Sequence, residues 1–210
     1  MIEKETILEE VEKMFYTNGI KPVTMDNISM DLKISKRTLY EIFHDKNDLV
    51  AQVLQQRLDK INKENKGIIE KSDTVIDAIF QIAEHEVSKK QKCKSNPKMM
   101  DDLKKYHKEI YSDVYQKITE EIFNTIFKLI ERGKSEGLFK KEIETDIIIY
   151  TIRIIVNVVE KEPDKFMNKS VKSIHQTLVL PYLIGISTHE GQAQIDNYMK
   201  KIIKNKKIHE

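Results

Sequence analysis

The segment TMDNISMDLKISKRTLYEIFHDK, Thr24 to Lys46, constrains the fold of this chain more than any other. Thr24 precedes an apolar series at Met25, Ile28 and Leu32. That is helical spacing, and threonine is a favoured N-cap. The helix is expected to end near Leu32 or Lys33. Ser35 offers a second N-cap, so a new helix should begin at Lys36. Two caps that close leave room only for a short turn, as a helix-turn-helix requires. On a wheel of about 100° per residue, Leu39, Ile42 and Phe43 share one arc. Lys36, Arg37 and Tyr40 share the opposite arc, with Thr38 at a border. The apolar arc can seat the helix, which leaves two cations, a phenol and a hydroxyl outside. Such side chains bind phosphates, and lysine or arginine also reads the guanine edge. Recognition helices present their N-terminal residues to the major groove, and here those are the basic ones. Asp45 is placed to cap a further helix with Lys46 in its first turn, and a helix N-terminus is a natural phosphate anchor. Glu41 lies near the same face and would repel phosphates. At i+4 from Arg37 it can hold that guanidinium in an ion pair, or it can accept a hydrogen bond from cytosine N4.

These residues resemble the TetR/AcrR family of bacterial transcriptional regulators. The resemblance begins at Ile7, Leu8, Val11, Met14 and Phe15 and passes through Gly19, Val23-Thr24-Met25 and Ile28. It is densest over Ile34-Ser35-Lys36-Arg37-Thr38-Leu39-Tyr40, Phe43 and Lys46, and it ends near residue 50. It implies an all-α homodimer. Residues 1–47 would form a three-helix helix-turn-helix DNA-binding domain, and 48–210 a larger helical ligand-binding and dimerisation domain. It implies phosphate contacts from Thr24, Ser35, Tyr40 and Lys46, with His44 as a further phosphate neighbour. Lys36, Arg37 and Thr38 would approach bases or nearby phosphates. Many members carry a small residue where Arg37 stands, so the chain departs from the pattern at a base-reading position. The expected partners are a palindromic double-stranded DNA operator and a small-molecule inducer.

Charge alone does not point to nucleic acid. The net charge is +2, and residues 1–50 hold seven Lys/Arg against ten Asp/Glu. Much of that acidity sits on the first helix at Glu3, Glu5, Glu9, Glu10 and Glu12, away from the motif. Placement matters more than the total. With 33% charged and 40% apolar residues, the composition fits a soluble helical protein. No apolar run reaches 18 residues, so no membrane span is expected. The acidic, amphipathic N-terminus is not a signal peptide. A single cysteine, Cys93, excludes an intrachain disulfide and fits a cytoplasmic location.

Beyond the motif the pattern stays helical. A fourth helix is expected from Lys46 to about Lys66, with a break suggested by Gly67 and Ser72-Asp73. Another should start near Thr74, and Asn96-Pro97 reads as N-cap and first helical residue. Ile110, Val114, Ile118, Ile122, Ile126 and Leu129 form a stripe over one or two helices in 97–132, ended by Gly133 and Gly137. Ile147 to Val159 is almost wholly apolar. Its β-branched content would also suit a strand, but its length favours a helix buried on most sides. Ser170 can cap a further helix, in which Pro181 should force a kink or local adjustment. In the resembled family the last long helices pair with their mates, and segments 145–160 and 170–188 fit that homodimer role. The basic end KKIIKNKKIHE reads as a fraying helix.

An inducer site among the middle helices would draw on Phe80, Met99, Met100, Tyr106, Tyr111, Tyr115, Phe123, Phe127 and Tyr150. Apolar bulk with a few hydroxyls suits a hydrophobic or aromatic molecule. No His/Cys/carboxylate spacing suggests a metal, and no cofactor or catalytic residue is expected. There is no phosphate loop, nucleophile elbow or HExxH pair. Cys93 in KKQKCKSNPK is the lone nucleophile candidate and reads as an incidental thiol. The alternative to a ligand-responsive regulator is an α-helical scaffold that binds another protein without binding DNA.

Overall fold

In the computed structural model, residues 2–92, 97–161, 165, 169, 173 and 175–206 are described. Helices account for nearly all of the ordered structure, and the described residues contain no β-strand, only an isolated bridge between Phe139 and Ser187. The chain divides into two compact units. Unit 1 comprises Met1–Glu64 and Lys89–Ile122, and unit 2 comprises Asn65–Ser88 and Phe123–Glu210.

Unit 1 begins with α1 (Lys4–Asn18), whose Ile7, Leu8, Val11 and Phe15 are buried. It ends at Gly19, whose φ of 85° is a backbone state that glycine adopts without strain. Helix α2 (Met25–Asp31) starts from a capping box. The Thr24 hydroxyl accepts the Asn27 amide hydrogen at 3.1 Å, and Asn27 Oδ1 accepts the Thr24 amide hydrogen at 3.1 Å. Lys33, in the left-handed region with φ 54°, turns the chain towards α3 (Lys36–Ile42). Ser35 caps α3 by accepting from the Thr38 amide at 3.0 Å. Leu39 and Phe43 are fully buried and pack with Ile7, Phe15, Ile28, Leu49 and Val53 in one core. The three-helix head is thus held by the same apolar arc that the sequence pattern marked.

Asp45 accepts from the Asp48 amide at 2.8 Å and starts α4 (Lys46–Lys71). This helix does not stop near Lys66. It runs straight through Gly67 and ends before Ser72-Asp73. A glycine inside a helix costs about 1 kcal/mol relative to alanine, and packing of Ile68 and Ile69 against the second core outweighs that. Helix α5 (Val75–Lys92) begins at the Thr74 cap, which accepts from the Asp77 amide at 3.1 Å. Helix α6 (Pro97–Tyr106) has proline at its first position as expected. It breaks at His107 and resumes as α7 (Lys108–Ile110), a π-helical turn (Tyr111–Tyr115) and α8 (Gln116–Ser135). Gly133 lies inside α8 and does not end it. A Cβ there would come within 2.4 Å of the Phe139 ring, so the residue is small to admit that ring. Gly137, at φ 76°, makes the actual turn.

Within unit 2, Val75, Ile76, Phe80, Leu129, Phe139, Ile148, Leu183 and Ile195 form a second core. The apolar run from 147 onward is helix α9 (Thr145–Lys161), not a strand. Ile148 and Ile149 are buried, but Ile147, Tyr150, Ile154 and Val158 form an exposed stripe at spacings of three and four. Pro181 is accommodated by a π-helical turn (His175–Val179) before α10 (Leu180–Ile186). Helix α11 (His189–Lys206) follows the Thr188 cap and runs into the basic segment beginning at Lys200, which was expected to be a helix end, with no helix start expected near His189. Cys93, Asn96, Ser170 and Ile174 lie outside the described residues.

Candidate nucleic-acid interface

The outward face of α3 carries the side chains that the wheel assigned to it. Tyr40 is 51% exposed, and the Lys36 and Arg37 side chains are 58% and 89% exposed. Ser35 and Thr38 share a hydroxyl–hydroxyl hydrogen bond of 2.8 Å at the start of the helix. Thr24 uses its hydroxyl within its own capping box. These hydroxyls therefore shape the helix starts first, and any phosphate would find them already oriented. Both cations are paired. Arg37 Nε donates to Glu41 Oε1 at 2.9 Å, the i+4 pair expected from spacing. Lys36 Nζ lies 2.6 Å from Asp26 Oδ2 on α2. That pair joins residues ten apart across the turn, a separation that no helical periodicity flags.

His44 is exposed, and its amide donates to Asp48 Oδ2 at 2.9 Å. That bond and the Gln52 side chain hold the Asp48 carboxyl below the usual range, the Gln52 bond being the larger cause. The first turn of α4 therefore carries two engaged carboxylates, Asp45 and Asp48. Lys46 is turned inward. Its ammonium donates to Ile20 O at 2.7 Å and to Lys21 O at 3.2 Å. Burial pushes its pKa below the ordinary lysine value, against the opposing charge of Asp102. In this structure Lys46 braces the loop between α1 and α2.

Helix α6 meets the same loop. Asp102 Oδ2 accepts from the Lys21 amide at 2.7 Å. A Cβ at Gly19 would sit 2.8 Å from that oxygen. Lys21 Nζ donates to the Tyr106 hydroxyl at 3.1 Å and stands 4.8 Å from its ring centroid. His107, at the α6 break, lies with Nδ1 2.7 Å from Asn47 Oδ1 on α4. Arg57 of α4 pairs with Glu12 of α1 at 2.9 Å, both largely buried. Asp102, His107 and Arg57 escape a pattern-based search because their partners lie far off in sequence.

Burial, then the charge of Lys46, pushes the His107 pKa below its ordinary value, while Asp102 opposes the shift. As pH falls below 6.5, the ordinary histidine value, the unfolded chain takes up a proton that the folded unit refuses. Folding stability therefore drops across the window between that value and the lower folded one. A His107→Gln variant is expected to lose less stability than wild type between about pH 7.5 and about pH 5.5, read by thermal melts. Equal losses would show that His107 takes up its proton alike in the folded and unfolded chain.

The candidate ligand residues divide between the units. Met99 is buried in the first core, with Met100 half-buried beside it. Tyr111 and Tyr115 stack at 5.5 Å and pack on that core, and Tyr106 is engaged with Lys21. In unit 2, Phe80 is buried and stacks on Tyr198 at 4.7 Å. Phe123 is buried with the Arg153 guanidinium 4.1 Å from its centroid, Phe127 is half-buried, and Tyr150 stands on the exposed stripe of α9. Asn65, missed from pattern, is 3% exposed, and neither polar atom of its side chain has a partner. Among the described residues no group of His, Cys, Asp and Glu could hold a metal, and no helix is long and apolar enough to cross a membrane.

Two helices joined by a four-residue turn, each started by a side-chain cap and seated on a common core, in a chain with a second helical unit, define a helix-turn-helix protein of all-α build. Residues 7–53 match the family model of the bacterial regulatory proteins, tetR family. An HTH-type transcriptional regulator of Staphylococcus aureus strain USA300 is 38% identical over 56 residues, 27% of this chain and 30% of that protein. The similarity thus spans under a third of that relative. Solved structures share the fold over much more of the chain. A TetR transcription regulator from Haloarcula marismortui has a TM-score of 0.72 at 16% identity, covering 88% of this chain and 97% of that one. The regulator FadR from Bacillus subtilis in complex with stearoyl-CoA has a TM-score of 0.70 at 12% identity, covering 88% and 100%. The ketosteroid regulator KstR2 of Mycobacterium tuberculosis has a TM-score of 0.65 at 16% identity, covering 90% and 97%.

Proposed function

We propose that this chain is a DNA-binding transcriptional regulator, a repressor released by a small hydrophobic or aromatic molecule. The observation that carries the reading is the capped, core-seated α3 with Lys36, Arg37, Thr38 and Tyr40 on its open face. Residues 1–47 act as the DNA-binding part and 48–210 as the ligand-binding and dimerisation part. Thr24, Ser35, Tyr40 and His44 serve phosphates, Lys46, whose ammonium is held by the Ile20 and Lys21 carbonyls, serves them through the N-terminus of α4, and Lys36, Arg37 and Thr38 serve bases or adjacent phosphates. A homodimer forms through 145–160 and 170–188. The exposed apolar stripe Ile147, Tyr150, Ile154 and Val158 supports that surface, since a row of this kind is stabilised by burial against a mate. A two-fold dimer places its recognition helices about 34–36 Å apart, or a multiple of that, and so selects a palindrome.

The ligand class follows from similar support. FadR holds stearoyl-CoA and KstR2 is a ketosteroid regulator, both largely apolar chemistries. The candidate residues Phe80, Met99, Met100, Tyr106, Tyr111, Tyr115, Phe123, Phe127 and Tyr150 are apolar or aromatic. Asn65 adds a polar requirement. A buried amide with both polar atoms unpaired costs about 1–3 kcal/mol or more until something satisfies it. A bound molecule with a donor and an acceptor would do so. Ligand binding that favours another spacing of the two recognition helices weakens DNA binding by linkage.

The test is selection from a randomised duplex pool, followed by anisotropy titration of the enriched sequence at two salt concentrations. Enrichment of a palindrome with salt-dependent affinity is expected. Failure to enrich any sequence above random DNA at low salt would sink the reading. With the enriched duplex in hand, Tyr40→Phe removes one phenolic hydroxyl and should weaken binding by about 1 kcal/mol, the scale of one hydrogen bond. Unchanged affinity would strike Tyr40 from the contact surface.

A further inference from the structure

The helix-turn-helix of this chain is charge-balanced where a non-specific DNA binder would be basic. Thr24 to Lys46 holds four Lys/Arg and four Asp/Glu. The two cations at the front of the recognition helix are each faced by a carboxylate. Lys36 meets Asp26 at 2.6 Å and Arg37 meets Glu41 at 2.9 Å. All four side chains are more than half exposed, at 58% and 57% for the first pair and 89% and 60% for the second. Exposed pairs of this kind add little to stability, so DNA can part them at small cost. Parting them leaves the carboxylates in place. Against phosphate each is a repulsion. Against a G·C base pair each has a use, because lysine or arginine pairs with guanine O6 and N7 while Asp or Glu accepts from cytosine N4.

We propose that Asp26 and Glu41 are specificity-determining residues, which with Lys36 and Arg37 form two cation–carboxylate pairs that read G·C base pairs in the major groove and suppress binding to unselected DNA. The inference rests on the DNA-binding reading above. On a non-cognate duplex the cations gain phosphate contact only by exposing two anions to the backbone. On the preferred duplex the lysine and arginine turn to guanine, and the carboxylates take the cytosine amines. Discrimination thus comes from a penalty on the wrong DNA as well as from contacts to the right one. Arg37 fits this reading, since its Glu41 partner one turn on supplies the matching acceptor.

The experiment uses the full chain. Wild type selects its preferred sequence from a randomised pool. Anisotropy then compares that duplex with a mixed-sequence duplex of equal length for wild type, Asp26→Asn and Glu41→Gln at two salt concentrations. Circular dichroism melts check that both variants, altered only at exposed sites, fold as wild type does. The selected half-site is expected to contain G·C pairs at the contacted positions. Each variant should bind the mixed-sequence duplex roughly fivefold more tightly, as one unit-charge repulsion is removed. Its salt dependence should steepen by up to about one phosphate, and its preference for the selected duplex should shrink. A selected half-site of A·T pairs alone, or mixed-sequence affinities unchanged in both variants, overturns the inference while DNA binding stands. No selection by wild type and no low-salt binding by any of the three proteins overturns DNA binding itself, and this inference with it.

Discussion

Alanine at Phe43 is expected to lower the melting temperature of the chain by about 10 °C, with the loss of DNA binding shifted down by the same amount. Phe43 is fully buried at the end of α3, packed in the core that seats the recognition helix on α1 and α4. Removing a buried phenylalanine costs about 3–5 kcal/mol, through lost transfer energy and the cavity left behind. For a chain of this length each kcal/mol shifts melting by about 2–4 °C. The loss lies in the platform, not in the contact surface. The folded fraction and the DNA-binding signal should therefore fall together as temperature rises, whereas Tyr40→Phe should weaken binding with no change in melting. A shift under about 3 °C would mean that the neighbours collapse into the vacated space and that α3 does not depend on this ring.

Alanine at Gly191 should destabilise unit 2 by about 3 kcal/mol, near the upper end for overpacking. A Cβ there would approach the Leu138 carbonyl oxygen to 2.1 Å and its carbon to 3.0 Å. That carbonyl cannot step aside, because it is part of a stitched crossing. The Thr188 amide donates to Leu138 O at 3.0 Å and the Lys140 amide to Ile186 O at 3.0 Å. The Thr188 hydroxyl donates to Gly137 O at 2.7 Å, and Lys140 Nζ to Gly185 O at 2.8 Å. Gly67→Ala is the control. Its Cβ would meet nothing within 4 Å, and in mid-helix it should stabilise by about 0.5–1 kcal/mol. Denaturant melts of both variants separate the two cases, and a stable Gly191→Ala protein would show that α11 can shift away from the turn.

The two glycines show where sequence reading reached and where it stopped. As letters they are alike, and Gly67 had suggested a break. Only the neighbours brought near by folding distinguish open space at Gly67 from a carbonyl at Gly191. Gly133 is the same lesson, because its small size serves a ring six residues on rather than a helix end.

What the sequence by itself determined is the local part. The caps at Thr24, Ser35, Asp45 and Thr74, the inward arc of Leu39 and Phe43, the Arg37–Glu41 pair and the helical nature of 147–159 all depend on groups within four residues of one another, and that range is readable as spacing. Tertiary structure alone decided the rest. It turned Lys46 onto the carbonyls of Ile20 and Lys21, set Asp102 under Gly19, joined Lys36 to Asp26 across the turn, and left α9 with an exposed apolar stripe. Those outcomes depend on which distant segments meet and how much water they expel, and a linear pattern carries neither quantity.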